Sequence, residues 1–181
     1  SEFSKSIKKN TNKYIEDIEH DQSILALSYY NRGVIKSEMQ NHKDAIIEYT
    51  EAIRLDSTYA DSYHNRGLSY RFIKNYENAI NDYSSAIKIN PDAAISFFER
   101  GKAYWAKGYN QTSSKNEKIK LYQISIADIN RAISIDPNDA ESYYMRGLVK
   151  ECAEFSYCSD YKKACGLGHE SGCEDYYKQC K

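Results

Sequence analysis

The chain has 181 residues, 25 Lys and Arg against 26 Asp and Glu, and a formal net charge of -1. Both signs are mixed along its length, so the basic stripe expected of a nucleic-acid-binding protein is missing. No apolar run is long enough to span a bilayer.

Residues 1–25 form an N-terminal extension in which Tyr14, Ile15 and Ile18 are expected to make a capping helix or the remnant of an earlier helix. The chain opens on Ser1 rather than Met, which is compatible with removal of a signal peptide or anchor. From there one pattern repeats four times, an aromatic followed three residues later by Arg-Gly: Tyr29 with Arg32-Gly33, Tyr63 with Arg66-Gly67, Phe97 with Arg100-Gly101 and Tyr143 with Arg146-Gly147. The first three glycines are 34 residues apart, a period that signifies a solenoid of helical hairpins.

In the first copy (26–59) the pattern leads to Ala45, Tyr49 and Ala52, and in the second (60–93) to Ala79, Tyr83 and Ala86. Steps of four and three put each trio on one helical face, so every copy reads as helix A, turn, helix B. Glycine inside helix A costs about 1 kcal/mol relative to Ala and implies that a neighbour passes too close for a side chain. Asp56-Ser57, Pro91 and Pro137 end successive B helices.

The third copy (94–139) is longer, with Tyr122, Ile129, Ala132 and Pro137 in phase beyond a polar insertion at about 107–120. The insertion is expected to be a surface loop or a helix extended into solvent. The fourth copy occupies 140–169, and 170–181 is expected to be a C-terminal capping helix.

All five cysteines fall in the last two segments. Cys158 and Cys165 are seven apart on helix B, Cys173 and Cys180 seven apart on the final helix, so each pair shares a face. If the helices fold back antiparallel, Cys165 meets Cys173 and Cys158 meets Cys180. The inner bridge would contribute roughly 2.5 kcal/mol through its short loop. Reduced thiols and a metal site at Cys165, His169 and Cys173 are the other readings, although glycines interrupt the helix between those ligands and no C-x2-C pair is present. Cys152 is left over as a buried thiol, an alternative partner or an intermolecular contact.

His20, His42, His64 and His169 are dispersed, and His42 falls where Tyr76 and Tyr122 stand in later copies, a packing position. No phosphate loop, HExxH, GxSxG or dinucleotide fingerprint occurs. The sequence therefore leads to a non-enzymatic protein with no cofactor and no metal.

Tyr63, Gly67, Tyr70, Ala79, Tyr83, Ala86 and Pro91 stand on the signature positions of the tetratricopeptide repeat family, which the chain resembles over roughly residues 26–169. The resemblance implies an all-α, right-handed solenoid whose A helices line a concave groove that holds a peptide or partner helix. Carried over by alignment, the groove positions are Tyr30, Asn31 and Val34 in repeat one and His64, Asn65, Leu68 and Arg71 in repeat two. Repeat three supplies Phe98, Glu99, Lys102 and Trp105, and repeat four Tyr144, Met145 and Leu148. The carboxylate clamp known in some members does not fit, because the aligned positions hold Tyr30, Val34, Ile95 and Glu99, and only Asn65 agrees.

The segment Lys163-Ala164-Cys165-Gly166-Leu167-Gly168 with Gly172-Cys173 resembles the junction of Sel-like cysteine-rich repeat proteins. That resemblance implies a helix-to-helix disulfide and a secreted or periplasmic protein. The expectation is thus an extracytoplasmic protein-interaction scaffold. The alternatives are a cytoplasmic co-chaperone-like adaptor with reduced thiols and, in a different class, a Sel-like secreted enzyme or β-lactam binder, for which no SxxK motif is present.

Overall fold

Each hairpin has an apolar stripe that it cannot cover alone, and the fold is the stacking that covers it. The computed structural model describes the backbone of residues 2–181 and the side chains of residues 20–181. Its helices are α1 (Glu2–Glu38), α2 (His42–Leu55), α3 (Ala60–Phe72), α4 (Tyr76–Ile89) and α5 (Ala94–Gln111). They continue as α6 (Lys115–Ile135), α7 (Ala140–Cys152), α8 (Cys158–Gly166) and α9 (Glu170–Gln179). There is no strand among the described residues, nor a helix long and apolar enough to cross a membrane.

α1 passes through the expected boundary at residue 25 without a break, because no Gly or Pro interrupts His20–Ala26. The side chains of Tyr14, Ile15 and Ile18 lie outside the described residues. The A-to-B turns use local chemistry. Gln40 and Lys74 take the left-handed conformation at φ 60° and 62°, and Asn41 and Asn75 then cap α2 and α4, their side chains accepting from the N–H groups of Asp44 and Asn78.

The helix-A glycines receive a side chain from helix B. A Cβ on Gly33 would stand 2.6 Å from the Tyr49 ring, and one on Gly67 2.9 Å from that of Tyr83. Tyr161 covers Gly147 in the same way, while at Gly101 the neighbour is Ile129. The alanines one turn away, such as Ala45, Ala52, Ala79 and Ala86, are fully buried beside these rings.

The arginine of each motif ties the hairpin together. Arg66 donates to both carboxylate oxygens of Asp82 at 2.8 and 2.7 Å, and Arg100 does the same to Asp128. Arg32 pairs with Glu48 and Arg146 with Asp160. Each guanidinium also lies over the aromatic that opens its motif, Tyr29, Tyr63, Phe97 or Tyr143. From repeat two onward it reaches back to helix B of the preceding repeat, at Thr50, Ser84 and Asn130. One residue thereby links three helices.

The third repeat absorbs its surplus in helix. Gly101 and Gly147 are 46 residues apart rather than 34, twelve more. α5 has 18 residues to the 13 of α3, and α6 has 21 to the 14 of α4, which accounts for all twelve. Gly108 and Tyr122, each seven residues from Gly101 and Ile129, form a second contact of the same kind two turns along.

At the C-terminus disulfides join Cys158 to Cys180 and Cys165 to Cys173, so that α9 lies back on α8. Cys152 is free and exposed.

Candidate functional site: the concave face of the A helices

The curvature follows from which helices meet. α1, α3, α5 and α7 touch in a row, whereas among the described residues no two B helices meet to the same extent, so the A row is the inner, concave side.

Along that row the aligned residues divide into three groups. At the N-terminal end Asn31 is exposed, and Asn65 donates its amide N–H to Tyr30 Oη at 2.9 Å. This bond joins repeats one and two and leaves both side chains half-buried. In the centre His64 Nδ1 lies 3.0 Å from Ser96 Oγ, with its ring 5.6 Å from that of Tyr83. Leu68 is half-buried beside the cluster formed by Ala79, Ile80, Tyr83 and Ala103.

Arg71 and Lys102 both approach Glu99, each at 3.1 Å. Glu99 is only 7 % exposed, so it is not a bare anion facing a ligand. Two cations around one carboxylate leave the cluster formally positive. Phe98, at 5 % exposure, belongs to the core with Ile129, Met145 and Val149, so it presents little surface to a partner. Trp105 is half-buried against the same core and stacks on Tyr109 at 5.6 Å.

At the C-terminal end the Tyr144 hydroxyl donates to Asp175 at 3.1 Å, and its ring stacks on His169 at 4.2 Å. Burial first, then the Asp175 carboxylate, pushes the Tyr144 phenol up to about 12. His169 accepts from the Gly172 N–H through Nδ1, which puts its proton on Nε2, facing Glu141 Oε2 at 2.9 Å. With Cys165 and Cys173 bonded to each other, the residues once available as metal ligands are engaged elsewhere. No group of potential metal ligands is present among the described residues.

His42, expected to pack, does so: it is buried and stacks on Phe72 at 4.5 Å. The motif arginines and their acids, which the sequence reading left without a role, are missed framework residues. Their signal was available: Glu48, Asp82, Asp128 and Asp160 each precede the residue that packs on the motif glycine.

Burial holds His64 below its ordinary value, and Glu99 and Asp61 offset this only in part. The unfolded chain therefore binds the His64 proton more readily than the folded one. Stability should be full above the ordinary histidine value of about 6.5, fall as pH drops through it, and level off below the lower folded value. Urea unfolding midpoints of the wild type and His64→Gln between pH 8 and 5 test this. The wild type should lose more than the variant on acidification, and parallel curves would refute the assignment.

A row of interlocked helical hairpins with a mixed polar and aromatic inner face is a helical-repeat scaffold. Residues 26–59 match the tetratricopeptide repeat model and residues 73–108 the TPR repeat model. The repeats of this chain are tetratricopeptide repeats, and its all-α fold is their solenoid. No curated protein matches in sequence. Among solved structures, a thermophilic TPR protein of Thermus thermophilus is similar at TM-score 0.71 and 14% identity, over 84% of this chain and 81% of that one. MamA protein is similar at TM-score 0.67 and 21% identity, over 95% and 90%. The second TPR domain of human RPAP3, solved in complex with the HSP70 peptide SGPTIEEVD, is similar at TM-score 0.61 and 23% identity, over 73% and 98%.

Proposed function

We propose that the protein is a non-enzymatic interaction scaffold whose concave face holds an extended peptide or a partner helix. The observation that carries this reading is the amide and aromatic array at the N-terminal half of the groove. Asn31 is exposed and Asn65 is half-buried; Tyr30 holds Asn65 in place through one amide N–H. Asn offers a peptide backbone both a donor and an acceptor, and tyrosine and tryptophan supply rigid contact area at small entropic cost. Arg71, Lys102, Trp105 and Tyr144 complete the proposed surface, with Leu68 and His64 between them. Phe98 and Glu99 support it from behind.

The RPAP3 domain's HSP70 peptide is acidic at its end. In this chain the clamp positions are occupied by Tyr30, Val34, Ile95 and Glu99, which favours a partner read through its backbone and apolar side chains. Four of five cysteines in disulfides support an extracytoplasmic setting, where such bonds persist.

Selection from a displayed library of random peptides, followed by calorimetry, tests the reading. Asn31→Ala should weaken an enriched peptide about tenfold, or about 1.4 kcal/mol, while Asn81→Ala on α4 should leave it unchanged. A peptide indifferent to Asn31→Ala and Asn65→Ala would place binding elsewhere and sink the groove assignment.

A further inference from the structure

α9 is placed at the C-terminal end of the concave row, yet little of its own packing holds it there. Its single buried residue is Gly172, which approaches α8 so closely that a Cβ would stand 2.9 Å from that of Ala164. Tyr177 is 58% exposed, and no large apolar side chain of α9 is buried. The remaining attachments are few: Asp175 with Tyr144, His169 with Glu141, and the stack of His169 on Tyr144. Both disulfides, in contrast, have one cysteine on α8 and the other on α9 or at its C-cap. All four of these cysteines are partly exposed.

We propose that α9 is a redox-released cover over the C-terminal end of the concave face: reduction of both bridges detaches it and uncovers the half-buried Tyr144. The inference rests on the oxidised cap proposed above. Each bridge takes two electrons and two protons from a dithiol, which closes to its own disulfide while the protein gains two thiols. Once detached, a ten-residue helix is too short to persist alone in water. Release therefore also means unfolding of 170–179. It frees the Tyr144 hydroxyl from Asp175 and its ring from His169, adding an aromatic donor at the end of the groove.

The experiment is hydrogen exchange on the full chain, oxidised and after reduction with dithiothreitol, preceded by a non-reducing peptide map. Linked Cys158–Cys180 and Cys165–Cys173 peptides must be present at the start, and their absence would overturn the oxidised cap itself. After reduction, exchange in 170–179 should accelerate at least a hundredfold, tetranitromethane should nitrate Tyr144 faster, and α2 to α6 should keep their protection. The variant with Cys158, Cys165, Cys173 and Cys180 all changed to Ser should behave as the reduced protein does. Retained protection of 170–179 in either reduced protein or variant would show that packing holds α9 and would overturn the proposal.

Discussion

Arg66→Ala is expected to destabilise the fold by about 3–5 kcal/mol, the usual result of removing one partner from a buried pair. Arg66 and Asp82 are only 17% and 8% exposed at their side chains, and the guanidinium serves Asp82 twice and Thr50 once. Burial pushes the Asp82 carboxyl up, and Arg66 is the group that opposes this. Without it Asp82 must either stay ionised with no counter-charge or take up a proton in the folded state. The variant should therefore lose further stability as pH rises through its raised Asp82 value, more than the wild type does, where Arg66 offsets part of the same shift. Chemical denaturation of Arg66→Ala and of Arg66→Met with Asp82→Leu measures the effect. The double variant should regain most of the loss, since an apolar pair of similar volume leaves no stranded charge. A loss below about 1 kcal/mol in the single variant would mean that the pair behaves like a surface ion pair.

Tyr83→Ala should cost about as much, roughly 3–5 kcal/mol, by emptying the site of a buried ring. Tyr83 is fully buried and lies against Gly67 of the facing helix. The informative companion is Gly67→Ala. In the wild-type background the added methyl stands 2.9 Å from Tyr83 Cε1, an overpacking that costs about 1–3 kcal/mol against a gain of about 1 kcal/mol in helix propensity. In the Tyr83→Ala background the obstruction is gone, and Gly67→Ala should become stabilising. A double-mutant cycle reads this reversal directly. An unchanged sign would show that Gly67 is there for a reason other than the ring.

The hairpin architecture was legible because the glycines, helix-B tyrosines and helix stops recur in phase, and each recurrence has a packing cause. Local chemistry had the opposite effect at the insertion: Thr112-Ser113-Ser114 punctuates a polar stretch, so sequence alone left loop and helix open, and only the Gly108–Tyr122 contact accounts for the helical outcome. Alignment proposes groove positions but says nothing of their exposure. Phe98 and Tyr144 are aligned residues of similar type, yet one is core and the other bonds to α9, because exposure depends on which neighbouring repeat is present. The pairing of Arg71 and Lys102 on Glu99 spans two repeats, beyond the reach of any short motif.

The lengthening of α5 and α6 bears on how such chains can grow. A solenoid ordinarily gains length by adding hairpins along its axis, but this one has also gained breadth, about 7 to 10 Å at a rise of 1.5 Å per residue. The increment preserves the interlock because seven residues down one helix are answered by seven up the other. Trimming 107–120 as though it were a dispensable loop would cut the end of α5 and the start of α6 together, removing Gly108 and leaving Tyr122 without the helix surface it covers. Only paired deletions, five residues from α5 and seven from α6, would return the third hairpin to the size of its neighbours.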